Sequence, residues 1–160
     1  NIEIQLKDID ELILEKEQKE NMKSVIRCVA RKACHGTSIV FMDEKTLKEQ
    51  VDVLSEYGRV YRVQPFNLRD QLADFEGVLA IDGALFADEN CKCCAVGVIV
   101  AGKLVKKGTI GRGARYNSLV NYVHAVSETM RGGGLCCAAI ISEDETVDIV
   151  IPQMIKEACI

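Results

Sequence analysis

Tryptophan is absent from this 160-residue chain, proline occurs only twice and aromatic residues make up 5% of it. So little proline, beside 48% hydrophobic residues, excludes the proline-rich and disordered classes. No apolar run reaches the roughly 18–20 residues that a membrane span needs. Residues 1–20 are charged and lack the basic start and apolar centre of a secretory signal, so a cytoplasmic protein is expected. The first residue is Asn1 rather than Met, which points to a segment upstream. A basic excess is missing too. With 20 Lys and Arg against 24 Asp and Glu, the formal charge is −4, and no nucleic-acid partner is expected. The length predicts one domain, able to bury about two-thirds of the surface its unfolded chain exposes.

What the chain does have, unusually, is eight cysteines: Cys28, Cys34, Cys91, Cys93, Cys94, Cys136, Cys137 and Cys159. A disulfide framework fits poorly with a chain that has a core and no secretion signal. A zinc-stabilised module is a second reading, since Cys91 and Cys94 form one C-x-x-C, although no second pair answers it. Reduced thiols acting as small hydrophobes are the third.

The apolar pattern alternates helices and strands. Residues 5–34 keep a helical period, with the charged stretch Glu15 to Glu20 joining or extending two helices, and His35-Gly36 stops them. Thr37–Met42 is a buried strand and Asp43–Tyr57 a helix ended by Gly58. Val60–Val63 is an edge-like strand closed by Pro65, and Leu68, Leu72 and Phe75 suggest a further helix. Val78–Ile81 is a strand ending at Asp82-Gly83-Ala84, and Asp88-Glu89-Asn90 turns the chain into a strand over Cys94–Val100. Leu104-Val105 forms a short hairpin partner, Gly108–Gly113 a glycine-rich loop and Asn117–Met130 a helix. The strands Leu135–Ile141 and Val147–Ile151 follow. This order predicts an α/β fold, a mixed central β-sheet flanked by helices. Residues 1–34 are expected to form an N-terminal helical segment, and residues 35–160 the α/β domain.

Three loops carry candidate chemistry. Asp82 offers a carboxylate suited to a hard metal ion, and Gly83 and Ala84 let a ligand approach the backbone; Asp-Gly is also ordinary turn chemistry. The run from Gly108 to Ser118 leads into a helix. Its glycines expose N–H groups, and Arg112 and Arg115 supply guanidinium groups for phosphate oxygens. Asn117 and Ser118 there are also good N-cap residues. No Gly-Lys-Ser/Thr follows, so this is no Walker A loop. Lys103, Lys106 and Lys107 flank it and would either steer an anion or simply be solvated. Ser142-Glu143-Asp144 closes an apolar strand, where Glu143 would join Asp82 on a metal or remain a solvated turn. Two acids and an arginine-bearing loop, all at strand ends or helix starts, suit nucleotide phosphate chemistry.

These residues resemble the diadenylate cyclase domain family, over about residues 33–152. The marks are Asp82-Gly83-Ala84, then Gly113-Ala114-Arg115-Tyr116-Asn117-Ser118 at the family's spacing, then Ser142-Glu143. The resemblance implies condensation of two ATP molecules into cyclic di-AMP and two pyrophosphates, across a face-to-face homodimer. It implies that Asp82 and Glu143 bind Mg²⁺ or Mn²⁺ and that Gly83, Ala84 and Ile99 border the nucleotide. Arg112, Gly113, Ala114, Arg115, Tyr116, Asn117, Ser118 and Ser142 would surround the triphosphate. Most of the family has Arg-His-Arg where this chain has Arg115-Tyr116-Asn117, as in the sporulation-type subgroup. Asn117 cannot neutralise charge, so a nucleotide-binding sensor without turnover is the alternative.

Overall fold

Runs of β-branched and small apolar residues form the middle of this molecule because each can bury both faces. The computed structural model describes residues 2–33, 35–57, 59–70, 76–100, 114–130 and 133–152. The elements, in chain order, are α1 (Glu3–Leu6), a 3₁₀ turn (Lys7–Glu11), α2 (Lys16–Lys32), β1 (Thr37–Met42), α3 (Glu44–Tyr57), β2 (Arg59–Asn67), α4 (Glu76–Leu79), β3 (Ala84–Ala87), β4 (Lys92–Ile99), α5 (Ala114–Thr129), β5 (Cys136–Ile141) and β6 (Val147–Val150).

The strands make one six-stranded sheet in the order β2-β4-β3-β1-β5-β6. Only β1 and β3 run parallel, with Ser38 opposite Ala84. The other pairings are antiparallel, so the sheet is mixed, as the sequence predicts.

Alternate residues of each strand enter two different cores. Ile39, Phe41, Leu85, Cys137 and Ala139 pack on one face with Leu6, Ile9, Met22, Val25 and Val29 of the N-terminal helices. Val40, Met42, Phe86, Ala138 and Ile140 pack on the other, against Leu47, Val51 and Leu54 of α3 and Leu119, Val123 and Val126 of α5. Each fully buried Val, Leu, Ile, Phe or Met among them contributes about 1.5–3 kcal/mol. On the first face, Arg27 grips Glu3 through two bonds of 2.9 and 2.8 Å. The mostly buried Lys23 meets Asp10 at 2.7 Å. These pairs fasten α1 and the 3₁₀ turn to α2.

Several sequence expectations move. The charged stretch Glu15 to Glu20 is the first part of α2 rather than a junction, and Leu12–Leu14 is the break. Glu15 N–H donates to Gln18 Oε1 at 3.1 Å and so starts the helix. Val78–Ile81 is not a strand: Val78 and Leu79 belong to the single-turn α4, and the strand is Ala84–Ala87, entirely buried. The two apolar runs flank Asp82-Gly83 symmetrically, and the run that pairs with β1 becomes the strand. Asp82-Gly83 therefore precedes a strand instead of ending one. β2 continues through Pro65 to Asn67, which it can do because it is an edge strand with a register shift between Arg62 and Phe66. Asn117 and Ser118 are not caps, since α5 already starts at Ala114. Leu68 lies beyond β2, and Leu72 and Phe75 lie outside the described residues, as do Leu104-Val105, Gly108–Gly113, the three lysines, Cys34 and Cys159.

Candidate active site

The pairings bring four chain segments to one edge of the sheet. Ser38 opposite Ala84 aligns the starts of β1 and β3. Ala84 opposite Val98 brings up the end of β4, and Thr37 opposite Ile141 brings up the end of β5. This is the N-terminal edge of the parallel pair. Open parallel sheets generally use the carboxyl edge for ligands. Here the antiparallel neighbours β4 and β5 deliver their C-terminal ends to the same place.

A cavity of about 260 Å³ opens at this edge. Asp82, Gly83 and Ala84 form one wall and the end of β4, from Val98 to Val100, another. Arg115, Ser118 and Leu119 of α5 close it, and Ser38 reaches in from β1. Its apolar floor, made of Ala84, Val98, Val100 and Leu119, is the exposed margin of the α3–α5 core. Ile99 is 39% exposed, an apolar surface at the rim.

Asp82 and Arg115 face each other with Oδ1 and Nη2 3.8 Å apart, their side chains 73% and 40% exposed. A pair that long and that exposed contributes little to folding. Its partners remain free to take up a ligand's charges. Arg115 sits in the first turn of α5, so its guanidinium adds to the positive end of the helix dipole.

The close packing depends on three glycines. A Cβ on Gly36 would run into Arg115 Nη1, and it would lie 3.3 Å from the Ile141 carbonyl oxygen. Gly83 has φ +117°, and a Cβ there would be 2.6 Å from the carbonyl carbon of Gly97. Gly97, at φ +57°, is itself covered by Tyr61 and Ile81. The two backbones touch at a register irregularity between β3 and β4.

The other described sequence candidates lie outside the walls of this cavity. Ser142 follows β5 at the same edge, and its N–H bonds Thr146 O at 2.9 Å in a tight turn that leaves Glu143 exposed. Neither is a wall of the cavity. Tyr116 packs partly buried against the α3–α5 core, and Asn117 follows it on the helix. Ala114 is the first residue of α5, while Arg112 and Gly113 lie outside the described residues. Sequence reasoning missed Ser38, Gly36, Val98, Val100 and Leu119. The one available signal was two hydroxyl residues, Thr37 and Ser38, opening an otherwise apolar strand.

The described cysteines do not form a second centre. Cys28, Cys91, Cys93, Cys94, Cys136 and Cys137 are free thiols. Cys91 and Cys93 enter one core while Cys94 faces the other, so the C-x-x-C does not converge. Among the described residues no three His, Cys, Asp or Glu side chains are grouped to hold a metal. Burial pushes the thiols of Cys91, Cys93 and Cys137 up to about 12. They stay protonated and act as core residues. Mg²⁺ and Mn²⁺ take carboxylate oxygens, and two carboxylates stand at this edge of the sheet. Among the described residues the Asp82 carboxylate meets Arg115 at 3.8 Å, and Glu143 is exposed at the neighbouring turn.

No protein-family model and no curated protein matches the sequence. Among the described residues, no helix is long and apolar enough to cross a membrane. A solved structure does match: a cysteine double mutant of DacA from Staphylococcus aureus, with TM-score 0.57 and 18% identity over 86% of this chain and 85% of that one. At that identity the likeness speaks for the architecture, and on that ground the chain has the diadenylate cyclase fold.

Proposed function

We propose that this chain is a diadenylate cyclase, joining two ATP molecules into cyclic di-AMP with release of two pyrophosphates. One observation carries the reading: Asp82-Gly83-Ala84 and Arg115, remote in sequence, line a single cavity in a fold shared with DacA. The apolar floor suits a base, and Ile99 at the rim gives it a flat neighbour. Ser38, Ser118 and Arg115 offer donors to phosphate oxygens, reinforced by the start of α5.

At about 260 Å³ the cavity lies just below the roughly 300–1,000 Å³ of small-molecule sites and has room for no more than one nucleotide. Two must react, so two protomers meet face to face, each presenting its ribose 3′-hydroxyl to the other's α-phosphate. The Asp82 carboxylate accepts the hydrogen bond of that hydroxyl and orients it. Arg115 exchanges its long contact with Asp82 for the triphosphate and stabilises charge that develops as pyrophosphate leaves. Asp82 and Glu143 would hold Mg²⁺ or Mn²⁺, which supplies Lewis-acid activation and charge neutralisation when bound. The reduced thiols suit a cytoplasmic enzyme.

The sensor reading keeps one observation in its favour. Tyr116 and Asn117 are not walls of the cavity, and Asn117 carries no charge. Incubation with ATP and Mn²⁺, with products identified by mass spectrometry, decides between them. The cyclase reading expects cyclic di-AMP, specific activity rising with protein concentration, and loss of product in Asp82→Asn. Binding of ATP without any product supports the sensor.

A further inference from the structure

We infer that Arg59, on the edge strand, is a positioning residue that holds the Asp82-Gly83 turn in place. Its Nε donates to the Gly97 carbonyl oxygen at 3.2 Å, and its Nη2 donates to the Asp82 carbonyl oxygen. Its guanidinium also lies over the Tyr61 ring, 5.6 Å from the centroid. One planar cation thus ties three segments together: β2 through Tyr61, the end of β4 through Gly97, and the turn before β3 through Asp82.

The need for such a tie follows from the backbone. Gly83 and Gly97 both have positive φ and touch each other, so neither contributes a side chain to lock the contact. The Asp82 side chain is exposed, and the Arg115 guanidinium that faces it is 3.8 Å away. The bond from Arg59 to its main chain is therefore a direct restraint on where the carboxylate starts. Arg59 is not itself a wall of the cavity. Its donors go to carbonyl groups, and the fork lets one side chain reach two of them while stacking on an aromatic face. Lysine keeps the charge but cannot reproduce that geometry.

The consequence for catalysis rests on the cyclase reading; the clamp itself does not. The test uses the full chain with Arg59→Gln, Arg59→Lys, Tyr61→Leu and Tyr61→Phe. Hydrogen exchange of the amides of residues 82–84, without nucleotide, is expected to quicken about tenfold or more in Arg59→Gln, Arg59→Lys and Tyr61→Leu. Tyr61→Phe, which keeps the ring, is expected to leave it unchanged. In turnover, Arg59→Gln and Arg59→Lys are both expected to lower kcat by about tenfold or more, with KM for ATP within about threefold. Unchanged exchange in Arg59→Gln overturns the inference. So does a rise in KM that Arg59→Lys reverses, which would make Arg59 a simple phosphate cation. If the wild-type protein forms no product, the cyclase reading falls, and the exchange rates alone still decide the clamp.

Discussion

Replacing Gly36 by alanine separates the making of the site from the making of the fold. The new methyl group would collide with Arg115 Nη1, the far end of a flexible side chain that is 40% exposed. That guanidinium can swing aside, and the second contact, 3.3 Å to the Ile141 carbonyl oxygen, requires a shift of a few tenths of an ångström. Gly36 does not need a positive φ, so alanine also removes unfolded-state freedom worth about 0.4–1 kcal/mol. The net change in stability is expected within about 1 kcal/mol, a movement of roughly 2–4 °C in Tm. Catalysis is expected to suffer far more. Displacing Arg115 by about 1 Å from Asp82 is a misplacement of the size that costs about 100-fold, or about 2.7 kcal/mol at the transition state. The assay is kcat/KM for cyclic di-AMP formation beside thermal unfolding of the same preparations. An active Gly36→Ala with kcat/KM unchanged would refute the reasoning. So would a fall in Tm of more than about 10 °C, which would show that Gly36 serves the backbone and not the guanidinium.

The remaining expectations concern other parts of the molecule. Gly83→Ala meets backbone rather than a side chain and must also adopt φ +117°; urea unfolding should show a loss of about 3 kcal/mol or more. Asp82→Asn should abolish product while leaving Tm nearly unchanged, since Asp82 is exposed and only loosely paired. Burial raises the Asp43 carboxyl, but hydrogen bonds from Leu135 N–H (2.9 Å) and Thr46 N–H (3.1 Å), among others, outweigh this and hold it below the usual value. Its contribution is therefore present above the unfolded value near 3.8 and is lost as pH falls through the lower folded value. Asp43→Ala should cost about 1–3 kcal/mol at pH 7, and the gap to wild type should narrow below pH 4 in pH-resolved urea titrations. Iodoacetamide at pH 8, followed by peptide mass mapping, should label Cys28 ahead of Cys91, Cys93 and Cys137, whose thiols titrate near 12; prompt labelling of Cys137 in folded protein would contradict the packing.

Much of the fold is legible where an apolar run has a single reading. β1 and β5 are continuous runs bounded by Gly36 and by the Ser142 turn, and both occur where the pattern puts them. β3 was misplaced because Val78–Ile81 and Ala84–Ala87 are equivalent as patterns. Which one pairs with Ser38–Phe41 depends on sheet register, a tertiary fact. The acidic turn and Arg115 were visible because carboxylate, glycine and guanidinium chemistry is local to short motifs. Gly36 and Arg59 were not, since each matters only through a contact with a distant segment: Gly36 with Arg115, Arg59 with the Asp82 carbonyl. A glycine after a helix and an arginine on an edge strand have ordinary explanations until those partners are known.

The sheet-edge cavity draws its walls from β1, the turn before β3, the end of β4 and α5, so no contiguous stretch of chain contains it. Such an arrangement has a high contact order, and its parts meet only after distant strands have paired. The pocket is therefore complete only once those strands have paired and α5 has docked. Its occupant couples to global unfolding rather than to a local opening. A nucleotide at 100 times its Kd should add about 2.7 kcal/mol to the stability of the whole domain by mass action. If the cyclase reading holds, ATP supply in a cell would then set the protein's lifetime as well as its rate.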